Sequence, residues 1–148
     1  MRMIAHYQAE TYRSRDSVGH LLKRAHAMCF DRFEPIFEAH GLTSGQFGVL
    51  LSLRDGIASN LRDLSAYLHY DSGALSRLID QLNRRGWIDR QPRIGDRRGI
   101  ELSLTETGYA IVQSVIPEVV TQFNAMLQPF TREEVQEFVR LLRKLNED

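Results

Sequence analysis

The sequence predicts a mainly α-helical chain with one small β-hairpin, and two patterns support this fold class. One stretch follows the i, i+3, i+4, i+7 spacing of a helix with a single buried face: Leu75, Leu78, Ile79 and Leu82. Beyond Gly86 the apolar period falls to two, as in a half-buried strand: Ile100, Leu102 and Leu104. A short helix that runs into a hairpin is typical of a winged helix-turn-helix.

A first helix is expected from Ser17 to about Ala39, where apolar residues recur on one face. Pro35 should kink this helix or begin a separate turn, and Gly41 is a suitable residue to end it. The helix carries more apolar surface than a lone surface helix usually shows.

Helix-start signals then predict three short helices in succession. Thr43 and Gln46 form a capping box for a helix that ends near residues 55–56. Ser59 or Asn60 can cap a helix that reaches about Leu68. Asp71 and Ser72 can begin the helix described above. Three short helices followed by strand, turn and strand give the order of a helix-turn-helix with a wing.

Two further helices should complete the chain. Residues 105–106 begin a long helix in which Pro117 predicts a bend, and Thr131 with Glu134 forms a capping box for the last helix. The first helix and these two carry a surplus of apolar surface, which we expect to be buried between two subunits. The alternative is that they pack only on their own domain. We therefore predict one domain, with dimerisation helices at 1–41 and 105–148 and a winged helix-turn-helix at 42–104.

Charge is concentrated although the 148 residues have a formal net charge of zero. Residues 84–98 hold six arginines and two aspartates, a net charge of +4. Residues 99–148 hold four basic and eight acidic groups, a net charge of −4. A local basic surface beside a candidate recognition helix favours a nucleic-acid partner, whereas an ordinary solvated hairpin is the alternative.

The sequence contains neither a membrane-length apolar run nor the apolar core of a signal peptide at its N-terminus. Its one cysteine, Cys29, cannot form an internal disulfide, which agrees with a reducing compartment. These features predict a cytoplasmic protein that does not use a membrane.

The segment 42–108 resembles the MarR family of bacterial transcription regulators. The resemblance rests on LTSGQFGVL, NLRDLSAYLHYDSGALSRLIDQLNRRGWIDR and GDRRGIELSLTETG, in that order, and looks closest to the multidrug-resistance repressor branch. It implies an obligate homodimer with interlocked terminal helices, a palindromic double-stranded operator, and a small effector, often an aromatic acid, that weakens DNA binding.

Helical geometry gives candidate DNA contacts on the helix that contains Leu75. The face opposite the apolar stripe holds Gly73, Ser76, Arg77, Asp80 and Arg84. Gly73 allows close approach to the groove. Base-edge and nearby phosphate contacts are expected from Ser72, Ser76 and Arg77. Asp80 should pair with Arg77 or Arg84 at helical spacing and hold that arginine in place.

The wing supplies further candidates. The family's Asp-x-Arg pattern falls on Asp96 and Arg98, which implies that Arg98 enters the minor groove while Asp96 orients it or braces the turn. Arg93 and Arg97 would then contact the DNA backbone. Residues at the front of the preceding helix, Asn60 and Arg62, can bind phosphates, or they can simply cap and solvate the helix.

Other patterns carry less information. Cys29 suggests a redox-responsive regulator as one alternative, although buried free cysteines are usually inert. A winged-helix module used only for protein association is another. The five histidines lack metal-ligand spacing, so we expect no metal, and His20 could line an effector pocket. Catalytic motifs are not found, so we predict neither an enzyme nor a cofactor.

Overall fold

A computed structural model describes residues 3–95 and 99–147 of the chain. A short 3₁₀ turn at Ser14–Asp16 precedes the regular elements. These are α1 (Val18–Ala39), α2 (Ser44–Arg54), α3 (Leu61–Leu68), α4 (Ser72–Arg84), β1 (Ile88–Pro92), β2 (Ile100–Leu104), α5 (Glu106–Met126) and α6 (Arg132–Asn146). This is the mainly α-helical fold with one hairpin that the sequence predicts. Within the described ranges, no helix is both long and apolar enough to span a bilayer.

The helices begin at the residues that the capping signals indicate. The Thr43–Gln46 box is complete, with Gln46 N donating to Thr43 Oγ1 at 3.2 Å and Thr43 N donating to Gln46 Oε1 at 3.1 Å. Thr131 and Glu134 form the same pair of bonds at α6. Asn60, rather than Ser59, caps α3, and Asp71 caps α4. These predicted helix starts are confirmed. They could be predicted because each depends on hydrogen bonds between residues close in sequence.

Both internal prolines lie within continuous helices. Pro35 is inside α1 and Pro117 is inside α5, so Pro35 does not begin a separate turn. The end of α1 is set instead by Gly41, whose φ of +71° is the left-handed conformation common just after helices. Its amide donates to Glu38 O at 2.9 Å, and the amide of Leu42 donates to Phe37 O at 2.9 Å.

The hairpin pairs β1 with β2 in antiparallel register, from Ile88 opposite Leu104 to Pro92 opposite Ile100. Leu102 is 4% exposed, as an inward residue of a half-buried strand should be. Ile100 is 53% exposed, so the predicted half-buried pattern does not extend to it. The reason is that Ile100 lies opposite Pro92 at the turn end of the hairpin, where it lines open clefts and does not belong to the packed core.

The core lies where α1–α5 meet the hairpin. Its fully buried side chains include Leu50, Leu64, Leu75, Leu82, Val112 and Val115. The predicted buried stripe of α4 is confirmed at Leu75, Ile79 and Leu82, whereas Leu78 is half-buried and packs against the core. Because these residues pack in the core, the opposite face of α4 points to solvent.

The surplus apolar surface of the N- and C-terminal helices remains uncovered in the single chain. No residue of α6 is buried. Apolar side chains that are 37–54% exposed lie along α1, α5 and α6, including Leu21, Leu22, Met28, Phe30, Val120, Phe123, Phe138, Val139, Leu141 and Leu145. Packing within one chain therefore does not account for this surface, contrary to the alternative that these helices pack only on their own domain.

Candidate nucleic-acid interface

The N-terminal half of α4 stands exposed on the face opposite the core. Ser72, Gly73 and Arg77 are exposed. Asp71 Oδ1 accepts hydrogen bonds from Gly73 N at 2.9 Å and Ala74 N at 3.1 Å, which fixes the first turn. The predicted reading residues Ser72 and Arg77 are therefore held on one ordered helix.

Gly73 shapes the surface beside Arg77. A Cβ built on Gly73 would lie 3.1 Å from Asp71 Oδ1 and 3.9 Å from Nη1 of Arg77. The Arg77 guanidinium therefore lies over the first turn of α4, next to bare backbone. A planar, five-donor group placed beside a residue without a side chain suits recognition of a flat base edge.

An open groove brings four of the predicted site residues together. It has a volume of about 780 Å³ and lies between the start of α3, the start of α4 and the turn end of the hairpin. Its lining includes Asn60, Arg62, Ser72 and Arg93, together with Gly99 and Ile100. The lining thus holds two arginines and the hydroxyls of Ser65 and Ser72 against one carboxylate, that of Asp63, and forms a concave surface that a phosphate backbone can enter.

Ser76 lies closer to the hairpin than the helical projection indicates. It is half-buried and lines a small cleft of about 110 Å³ with Leu61, Ile79, Arg90, Ile100 and Leu102. The difference arises because the hairpin packs over this flank of α4, which a helical wheel does not include. Ser76 therefore sits at the edge of the exposed face.

Asp80 pairs with Arg90 of β1, so the expected pairing with Arg77 or Arg84 is wrong. Nη2 of Arg90 donates to Asp80 Oδ1. Arg90 was missed as a site residue because its partner lies ten positions away across a turn. The sequence does contain a signal for this contact. In a strand, Arg90 lies on the same face as Ile88, which is buried, and that face packs against α4.

The other candidates have more varied surroundings. Both polar atoms of the Asn60 amide bond to Asp63, at 2.8 Å each, so the capping interpretation is what the structure shows. Arg62 is exposed, as is Arg84 in the last turn of α4. Asp96, Arg97 and Arg98 lie outside the described residues.

The remaining predicted residues, His20 and Cys29, lie on α1. His20 is exposed in the first turn of α1, where its backbone amide donates to Ser17 Oγ at 3.2 Å. Cys29 is half-buried and packs against the core. In the part of the chain that the structure describes, no group of three or more His, Cys, Asp or Glu residues is arranged to hold a metal ion.

Comparison with known proteins points to one family. The MarR family profile matches residues 42–100, which run from the start of the α2 cap to the first residue of β2. The multiple antibiotic resistance protein MarR of Escherichia coli (strain K12) is 34% identical over 105 residues, covering 70% of this chain and 73% of that protein. The chain belongs to the MarR family.

Two solved structures show that the MarR-type fold extends over most of the chain. A cysteine-to-serine mutant of E. coli MarR complexed with operator DNA has a TM-score of 0.76 and 29% identity, covering 86% of this chain and 92% of that chain. Bordetella bronchiseptica BpsR, whose DNA binding is regulated by 6-hydroxynicotinic acid, has a TM-score of 0.77 and 30% identity, covering 87% of this chain and 98% of that chain. The winged helix predicted from the sequence is thereby confirmed.

Proposed function

We propose that this MarR-family protein is a transcriptional repressor that binds a palindromic operator as a homodimer. The observation that carries the proposal is the 780 Å³ groove, which gathers Arg62, Ser72 and Arg93 beside the exposed face of α4. The E. coli relative was solved in complex with operator DNA, which supports operator DNA as the partner.

In this proposal α4 enters the major groove. Ser72, Ser76 and Arg77 contact base edges, and the planar fork of Arg77 pairs with O6 and N7 of guanine. Gly73 permits close approach of the helix to the bases. Because Leu75, Ile79 and Leu82 anchor the opposite side of α4 in the core, the reading residues enter the groove in a fixed orientation.

Surrounding residues bind the DNA backbone. Arg62, Arg84, Arg93 and Arg97 neutralise phosphates, which adds affinity but little sequence information. Asn60 contributes mainly by capping α3, which orients that helix. The family resemblance implies that Asp96 braces Arg98 for the minor groove, and this assignment stays a prediction because it lies outside the described residues.

A second copy of the chain covers the exposed apolar faces of α1, α5 and α6. A face of this extent on three helices is unusual for a monomer, and a twofold arrangement buries it against itself. Residues 1–41 and 105–148 then form the dimerisation part, and residues 42–104 form the DNA-binding part. Two DNA-binding parts related by a twofold axis match a palindrome.

A small effector, an aromatic acid, releases the operator. The regulation of BpsR by 6-hydroxynicotinic acid supports this class of ligand, and His20, exposed on α1, is a candidate contact at the dimer interface. A screen of aromatic acids and their thioesters for release of a bound operator duplex tests this part. If none of these compounds releases the duplex, the proposed control of repression by an aromatic acid is wrong.

Selection of bound duplexes from a random pool tests the central proposal. We expect the recovered sequences to contain two inverted half-sites about 10 base pairs apart, and sedimentation of the complex to give two chains per duplex. Recovery of unrelated sequences would favour the association-module alternative.

Peroxide treatment of wild type and Cys29→Ser tests the redox alternative. Only that alternative predicts that peroxide releases the operator from wild type and that the substitution abolishes this release.

A further inference from the structure

Arg85 joins the end of α4 to the end of α1. Its Nη1 donates a hydrogen bond to the carbonyl oxygen of Gly41, two residues beyond α1. A Cβ on Gly41 would lie only 3.0 Å from Nη2 of Arg85, so the guanidinium lies directly against glycine backbone. The contact spans 44 residues of sequence and joins the end of α4 to the end of α1, two helices that contribute to the same core.

The same guanidinium is held from its other side by Trp87. Its central carbon lies 3.7 Å from the centroid of the Trp87 ring, a close cation–π contact. Trp87 is 9% exposed and belongs to the core. Arg85 is therefore clamped between a fixed ring and the carbonyl that ends α1.

Trp87 is in turn fixed to the start of α5. The amide of Thr105 donates to Trp87 O at 3.1 Å, and Thr105 Oγ1 donates to Gly86 O at 2.6 Å. A Cβ on Gly108 would fall 1.9 Å from Trp87 O, so α5 approaches this segment with no room to spare. Residues 85–87 thus connect α4 with both α1 and α5.

The end of α1 also contacts α5 directly. Nε2 of His40 lies 2.7 Å from Oε1 of Glu118. The end of α1 is therefore held by α5 on one side and by Arg85 on the other. A shift of α1 relative to α5 would change the position of the Gly41 carbonyl and, through Arg85, the position of α4.

We infer that Arg85 is a positioning residue that sets the tilt of α4 relative to α1 and α5, and so the distance between the two α4 helices on DNA. This inference rests on the proposed function. The 13-residue α4 is about 20 Å long, with Arg85 beyond its C-terminal end and the reading residues near its N-terminal end. A tilt of about 10° around that end moves the N-terminus by about one base-pair step of 3.4 Å.

Stability should change little when this contact is lost. Arg85 and Gly41 are both exposed, so water can replace the guanidinium at the Gly41 carbonyl. The expected effect is therefore on the geometry of the dimer and not on its folding.

The test uses duplexes that carry two copies of the selected half-site at spacings from one base pair shorter to two base pairs longer than the preferred one. We expect Arg85→Gln to reduce discrimination between the best and shifted spacings by about tenfold, within the range of typical coupling between sites. Affinity for a single half-site should stay within about twofold of wild type, because reading residues are untouched. Arg85→Lys should restore part of the discrimination, because its ammonium can still donate to Gly41 O.

Three results decide the outcome. An unchanged spacing profile in Arg85→Gln would overturn the inference. A uniform loss of affinity with a salt slope smaller by about 0.9 would also overturn it, because that result indicates a direct phosphate contact. Absence of any spacing preference in wild type would instead contradict the proposed function. Should Arg85→Gln fail to fold as a dimer, Arg85→Met keeps the stem packed on Trp87, lacks the donor and answers the same question.

Discussion

Asp80 of α4 forms an ion pair with Arg90 of β1, and this pair joins the helix to the hairpin. The side chain of Arg90 is 35% exposed and that of Asp80 is 49% exposed. A pair in this position contributes little to stability, within about 1 kcal/mol. Its consequence is geometric, because it holds the hairpin in a fixed orientation relative to α4, beside the small cleft that Arg90 lines.

We predict that Asp80→Asn lowers the specificity ratio, the affinity for the operator divided by that for random duplex. Loss of the pair loosens the hairpin relative to α4, whereas loss of a negative charge strengthens attraction to any phosphate backbone. The ratio should fall by about tenfold, as for one poorly matched base pair. Fluorescence anisotropy titrations with both duplexes measure it.

Asp89→Asn provides the matched control for this prediction. Asp89 is exposed and lies on the other face of β1, where its Oδ2 accepts from Gln91 Nε2 at 2.9 Å. The same charge change there should raise affinity for both duplexes equally. Equal ratios for Asp80→Asn and wild type would show that the Asp80–Arg90 pair does not orient the hairpin.

The helix caps of this chain can be predicted from its sequence, whereas the partner of Asp80 cannot. Thr43 with Gln46 could be assigned because both bonds join residues three positions apart. The partner of Asp80 could not, because helical spacing offered Arg77 and Arg84 while the turn at residues 85–87 brought Arg90 to it. The half-buried position of Ser76 cannot be predicted for the same reason. The hairpin packs on α4 through residues that are distant in sequence, and helical spacing does not show this contact.

Gly108 is predicted to be intolerant of any side chain. An added Cβ would lie 1.9 Å from the backbone oxygen of Trp87, which cannot move without displacing β1 from α4. Gly108→Ala should therefore lower the free energy of unfolding by about 3 kcal/mol or more. Urea denaturation followed by circular dichroism measures the change.

Gly48→Ala is the control, because a Cβ there meets only the Leu68 side chain at an ordinary 4.0 Å. Gly48 lies inside α2, where alanine is favoured over glycine by about 0.5–1 kcal/mol. That variant should be as stable as wild type or slightly more stable. Similar losses in both variants would contradict the close approach of α5 to Trp87.

The apolar face of α6 is predicted to hold the dimer together. Leu141 is 48% exposed in the single chain. Leu141→Glu would place a charge in the subunit interface and should weaken dimerisation by about a hundredfold or more. Gln136→Glu, an exposed change on the same helix, should leave dimerisation unchanged. Sedimentation equilibrium measures both variants, and dimers of equal strength would remove α6 from the interface.

Arg77 is predicted to read a base through its planar fork. Arg77→Lys keeps the charge but loses bidentate geometry, so the specificity ratio should fall by about ten- to a hundredfold while affinity for random duplex is retained. Arg62→Lys should keep the ratio of wild type, because a phosphate contact needs only a positive charge. An unchanged ratio in Arg77→Lys would assign Arg77 to the DNA backbone.

The central claim is that this MarR-family chain recognises a palindrome through two copies of α4. The most direct measurement is a titration of the wild-type protein with the selected palindromic duplex and with a random duplex of equal length, at two salt concentrations. We predict that the palindrome binds about a thousandfold tighter and that affinity for both duplexes falls with salt. Equal affinity for the two duplexes at both salt concentrations would contradict the account.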